Sequence, residues 1–154
     1  MPLRFVPPIH RATHRIGLYL ADLQHDSLSQ GEAHILALLA TAAPATIAEL
    51  HRGLAHKRST LTGILDRLVE RGLITRAVGE TDRRTFVITP TATGRAAAKR
   101  VHRHLADLEA AVSRRVTNDE LKAFLKVVLA VEEEAHRSTR AAPGRRKRDP
   151  ARGR

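Results

Sequence analysis

Leu61-Thr62-Gly63-Ile64-Leu65-Asp66-Arg67-Leu68-Val69-Glu70-Arg71-Gly72-Leu73-Ile74-Thr75-Arg76 changes its hydrophobic period partway along. Leu61, Ile64, Leu65, Leu68 and Val69 fall at i, i+3, i+4, i+7 and i+8, a spacing that lines one face of a helix. Gly72 then stands where a helix end favours a left-handed residue. Beyond it, Leu73-Ile74-Thr75-Arg76 and Thr85-Phe86-Val87-Ile88-Thr89 read as two short strands rich in β-branched residues. Residues 77–84 between them hold Gly79 and a cluster of charge, which predicts an antiparallel hairpin with an exposed tip.

Upstream, Ser29-Gln30-Gly31-Glu32 is a capping box, with Ser29 as N-cap and Glu32 three residues on. The helix it opens carries Ile35, Leu36, Leu38 and Leu39 and ends near Ala42, before Pro44. A second box, Thr46-Ile47-Ala48-Glu49, opens a short helix with Ile47, Leu50 and Leu54 on one face. Downstream, Thr91 caps a long helical stretch reaching Val116. A third box, Thr117-Asn118-Asp119-Glu120, starts a last helix with Leu121, Phe124, Leu125 and Val128 on a stripe that should face a core. One more helix is predicted from Ile9 to about Leu23, entered after Pro7 and Pro8, and no internal repeat is present. The fold class is mainly α with a small β-hairpin wing. Three short helices ahead of a charged hairpin form a winged helix-turn-helix core, with helices flanking it on both sides.

The 154 residues suffice for one domain, and 42% hydrophobic content is ordinary for a globular chain. With no cysteine, disulfide frameworks, thiol redox sensing, cysteine nucleophiles and thiolate zinc sites are all excluded. The uncharged stretch at residues 33–48 is too short and broken to span a bilayer, and no signal-peptide pattern opens the chain, so the expectation is a cytoplasmic protein with no membrane partner. Lys and Arg number 27 against 16 Asp and Glu, a net charge of +11 that points to a polyanionic partner. That charge is unevenly spread: +1 over residues 1–28, +6 over 29–104, −3 over 105–136 and +7 over 137–154. The terminal stretch has Pro143, Gly144, Pro150 and Gly153 and no large apolar side chain, and reads as a disordered basic tail.

These motifs carry a resemblance. Residues 29–94 resemble the multiple-antibiotic-resistance regulator (MarR) family in a recognition helix with Arg67-Leu68, then Gly72-Leu73, then a wing with the signature Asp82-Arg83-Arg84 and the strand-to-helix step Thr91-Ala92-Thr93-Gly94. The flanking helices extend the resemblance to roughly residues 9–136. Pro90 departs from the family pattern, standing where an apolar residue, often Leu, precedes the Thr. The resemblance implies a homodimer and a division of the chain into four parts. These are an N-terminal arm and dimerisation helix (1–28), a winged helix-turn-helix (29–90), C-terminal dimerisation helices (91–138) and the disordered basic tail (139–154). It also implies a transcriptional regulator, mostly a repressor in this family, that releases a pseudo-palindromic operator when a small-molecule effector binds.

With the apolar stripe turned inward, Lys57, Arg58, Ser59, Thr60 and Thr62 crowd the start of the recognition helix. Hydroxyls and cations at a helix N-terminus suit a phosphate or base edges of double-stranded DNA, although Ser59 or Thr60 would also serve simply as caps. In the wing, Arg83 and Arg84 are placed to reach a minor groove. By resemblance Arg84 is the minor-groove residue and Asp82 the carboxylate that holds it; the alternative is a hairpin tip kept soluble by its charges. Arg67 and Arg76 match family positions that steady the backbone or the local fold. Arg67 either contacts DNA or pairs, with Glu70 the one acid at pairing distance along its own helix. Phe5, Tyr19, Phe86 and Phe124 are scattered, which disfavours the stacking platforms of single-strand binders.

No residues identify an effector. His10 and His14 sit four apart but make an incomplete metal site, and His102 and His104, two apart, point to different sides of a helix. His25, His34 and His51 are candidates to line a cleft near the dimerisation helices. No metal or cofactor is expected. Nothing brings nucleophile, base and oxyanion donors together, so no catalytic residue is assigned. Three other readings stand beside the regulator: an effector-independent architectural DNA binder, a metal-dependent sensor and a protein-interaction module.

Overall fold

A computed structural model describes residues 2–22, 28–54, 58–79 and 84–141. The elements run α1 (Val6–Asp22), α2 (Gln30–Ala42), β1 (Ala45–Thr46), α3 (Ile47–Leu54), α4 (Arg58–Glu70), β2 (Ile74–Val78), β3 (Phe86–Pro90), α5 (Ala92–Ser113) and α6 (Asn118–Ala141). They divide into two compact units, Met1–Glu109 and Ala110–Arg154.

The helix starts follow the capping chemistry. Ser29 N–H donates to Glu32 Oε2 at 2.7 Å and Glu32 N–H to Ser29 Oγ at 3.3 Å. Thr46 and Glu49 repeat the exchange at 2.7 and 3.2 Å ahead of α3, and Thr117 and Glu120 at 2.8 and 3.3 Å ahead of α6. α1 begins at Val6, earlier than predicted, with Pro7 and Pro8 inside its first turn. Amide groups there have no partner within the helix, so proline costs nothing. Gly72 closes α4 at φ +65°.

The wing is part of a three-stranded antiparallel sheet in the order β1-β3-β2. The two-residue β1, in register with Ile88 and Val87, is a strand that sequence periodicity could not register. β2 runs on to Val78, and Gly79 N–H donates to Thr85 O at 2.8 Å, so the hairpin is paired further toward its tip than expected. The core of the first unit draws Leu20 from α1, Ile35, Leu36 and Leu39 from α2, and Leu50 from α3. Leu61, Leu65 and Leu68 from α4, Ile74 and Ile88 from the sheet and Val101 from α5 complete it. Truncating one of these leucines to alanine costs about 2–5 kcal/mol. Val69, assigned to the inward stripe of α4, is exposed instead; it lies in the last turn, past the curve of the core.

α5 is clamped to the root of the wing. Thr91 Oγ1 donates to Gly72 O at 2.7 Å and accepts from Gly94 N–H at 3.0 Å. A Cβ on Gly94 would stand 1.7 Å from Leu73 O. The Thr-x-x-Gly step is therefore a close approach of helix to backbone that admits glycine alone.

In the second unit, the described residues provide no core for most of the predicted stripe of α6: Phe124 is 55% exposed and Leu121 and Leu125 are exposed, with Val128 half-buried, and Leu129 beside them is exposed as well. α6 also continues past the predicted start of the tail. It reaches Ala141, with Arg137 donating to Glu134 at 2.7 Å and to Glu133 at 2.9 Å, so residues 137–141 are helical rather than disordered. The acids three and four positions back pair with Arg137 one helical turn away and support the extension. Residues 142–154 lie outside those described.

Candidate nucleic-acid interface

α4 is held by its core stripe, and its two halves present different chemistry. In the N-terminal half, Arg58 is the first helical residue, and Ser59, Thr60 and Thr62 are exposed. Ser59 and Thr60 sit inside the first turn, so neither is the N-cap. Lys57 lies outside the described residues, as do Asp82 and Arg83 of the hairpin tip. Arg84 is exposed where the chain turns into β3.

The cations of the C-terminal half are engaged. Arg67 Nε lies 3.5 Å from Glu32 Oε1, and an Arg71 guanidinium nitrogen lies 3.4 Å from Glu32 Oε2. The Glu32 side chain is only 4% exposed, whereas that of Arg67 is 53% exposed. Burying this carboxylate is tolerable because the Ser29 amide and two guanidinium groups converge on it. The pairing expected within α4, Arg67 to Glu70, gives way to one across helices. The capping box aims Glu32 from the first turn of α2 toward α4, and the helices approach closely there: a Cβ on Gly31 would lie 2.6 Å from Ile64 Cδ1. Sequence reasoning found the capping role of Glu32 and missed its second role.

Arg76 on β2 reaches back to Asp66 of α4 at 3.5 Å, and its guanidinium carbon lies 4.4 Å from the centroid of the Phe86 ring. One side chain thereby joins the recognition helix, β2 and β3 through an ion pair and a cation–π contact.

Between α3, the N-terminal half of α4 and the wing lies a groove of about 480 Å³. Its lining includes Thr46, Ile47, Ala48, His51, Arg52, Thr62, Arg84 and Phe86. His51 thus sits under the wing and not beside the flanking helices as expected: Leu50 of the short α3 is buried, which turns His51 and Arg52 outward. The Glu49 carboxylate at the head of α3 is held below its ordinary value of 4.5, chiefly by the Thr46 amide, then by the Thr46 hydroxyl and, weakly, by Arg52. Among the described residues no three His, Cys, Asp or Glu side chains cluster as metal ligands, and His10 and His14 are both exposed. No described helix is long and apolar enough to cross a membrane.

A helix packed on two others, a β wing pinned to it and a groove between them are the architecture of a winged helix-turn-helix. Residues 28–86 match the model of the MarR family. The match covers the winged helix-turn-helix core. Solved structures agree on the fold. Apo MarR of E. coli is 24% identical with a TM-score of 0.62, covering 85% of this chain and 98% of its own. A DNA complex of S. aureus MepR gives 18% identity and a TM-score of 0.72, over 84% of this chain and 99% of its own. Bordetella bronchiseptica BpsR, whose DNA binding is regulated by 6-hydroxynicotinic acid, gives 20% and 0.66, over 86% and 98%. No curated protein sequence matches the chain.

Proposed function

We propose that the protein is a cytoplasmic homodimeric repressor that binds a pseudo-palindromic operator in duplex DNA and releases it when a small-molecule effector binds. Each subunit would lay α4 in a major groove, with the two helices about one DNA turn, ~34–36 Å, apart. Lys57, Arg58, Ser59, Thr60 and Thr62 read or flank the bases, and Arg83 and Arg84 reach the adjacent minor groove with Asp82 holding Arg84. Arg67 and Arg76 act by holding the helix and the wing in place. The observation that carries the reading is the exposed, hydroxyl-rich N-terminal half of α4 beside Arg84, on a helix whose other end is anchored by Arg67 to Glu32 and by Asp66 to Arg76.

The exposed stripe of Leu121, Phe124, Leu125 and Leu129 on α6 supports the dimer, since an apolar face of that size calls for a partner. MepR, solved in complex with DNA, and BpsR, whose DNA binding is regulated by 6-hydroxynicotinic acid, share the fold and support the reading.

The test is selection of bound fragments from the source genome, followed by titration of the recovered duplex. Arg84→Ala should weaken binding by about 1–3 kcal/mol if its side chain enters a groove. Full affinity in that variant would instead favour a protein-interaction module.

A further inference from the structure

We propose that a second cleft, of about 230 Å³, between the end of α2, the last residue of β3 and the first turns of α5 binds a small organic phosphate, with Arg95 and Lys99 as its anion contacts. The cleft shares no lining residue with the groove under the wing. Its floor is apolar, made chiefly by Leu39, Ala43, Pro90 and Ala98. Arg95 and Lys99 are both exposed and line the cleft one helical turn apart on α5. Like charges four positions apart on a helix repel, and an anion held between them removes that repulsion.

The segments that line the cleft carry no acid to neutralise the pair: residues 33–48, 86–90 and 92–106 contain no Asp or Glu. The last carbonyls of α2 bring about half a negative charge to this end of the cleft, which is less than the two full cations opposite. Arg95 donates through one terminal nitrogen to Pro90 O at 2.9 Å, which fixes the guanidinium at the cleft and leaves its other N–H groups for a ligand. A planar fork beside a point charge suits a tetrahedral dianion better than a lone carboxylate, which one guanidinium satisfies. The apolar floor takes the carbon body, and a volume below the roughly 300–1,000 Å³ of pockets for drug-sized ligands keeps that body small. The site does not depend on the DNA-binding reading. Under that reading it gives an effector a route to the wing, because Arg95 holds the carbonyl that ends β3.

The experiment is isothermal titration calorimetry of the full chain with phenyl phosphate, benzoate and inorganic phosphate at about pH 8, where the ester is dianionic. Phenyl phosphate should bind saturably and more tightly than either benzoate, which carries one charge, or inorganic phosphate, which lacks the ring. Arg95→Gln and Lys99→Gln should each weaken it about tenfold, the worth of a hydrogen bond to a charged group. Lys99 is exposed, so its variant keeps the fold and the test stands even where Arg95→Gln does not fold. Arg58→Gln, on α4, should leave the titration unchanged. An equal loss in Arg58→Gln, or undiminished binding in Lys99→Gln, overturns the site. Benzoate or inorganic phosphate binding as tightly as phenyl phosphate overturns the class of ligand. A parent chain with no saturable binding of phenyl phosphate overturns the proposal and leaves the DNA-binding reading, which is tested with duplex, untouched.

Discussion

The two halves of α4 carry different side chains and put them to different uses. In the C-terminal half, Arg67 and, just beyond it, Arg71 converge on one buried carboxylate, and Asp66 meets Arg76 from the wing. In the N-terminal half, hydroxyls stand exposed beside a groove with cations on its rim. Cationic charge at the C-terminal end of α4 therefore goes into ion pairs within the fold. One end of the helix holds it in place, and the other end faces outward.

Disrupting the anchored end should have the largest effect. Arg67→Ala combined with Arg71→Ala strands Glu32 in the core, and an uncompensated buried charge costs about 3–5 kcal/mol. Glu32→Ala removes the carboxylate and the cap but leaves two arginines that reach solvent, so about 1–2 kcal/mol is expected. Urea denaturation should rank the arginine pair as the more damaging change. The reverse order would mean that the guanidinium groups are ornamental and that the cap alone matters. At the outward end, Ser59→Ala and Thr62→Ala should shift stability by no more than about 0.5 kcal/mol. They should nevertheless weaken binding to the recovered operator more than to random duplex. Equal weakening on both would erase the distinction between the halves.

The smallest effect concerns α3, which supports the outward end from below. The folded-state pKa of Glu49 is depressed, so its cap contributes fully above the ordinary value of 4.5 and is lost as pH falls through the lower folded value. Glu120 is depressed by the same Thr contacts and follows the same direction. Thermal melts between pH 7 and pH 3 should fall less steeply for Glu49→Gln than for the parent. Identical pH profiles would place the acid sensitivity elsewhere.

Much of the fold was legible because it is written in local chemistry. The three capping boxes start α2, α3 and α6 where reciprocal side-chain bonds satisfy free amides, and Gly72 ends α4 because it adopts a positive φ. What escaped was non-local. β1 is two residues long and owes its existence to pairing with β3. Glu32 reads as a cap, and nothing within its own helix reveals that Arg67 and Arg71 arrive from another. His51 was expected near the flanking helices, and the burial of Leu50, which sets the rotation of α3, places it in the groove under the wing instead. The stripe of α6 was read correctly as apolar, but the sequence of one chain does not say whether the surface covering it lies within that chain or in a second copy.

The clamp at Gly94 has a mechanical consequence. With no room for even a methyl group between helix and strand, the joint between α5 and the wing root has almost no play. α5 has 22 residues, and at 1.5 Å per residue it extends about 33 Å from that joint. Ala97, Ala98 and Val101 of the same helix lie in the core, so its first turns and the root of the wing form one piece, and whatever displaces the one displaces the other.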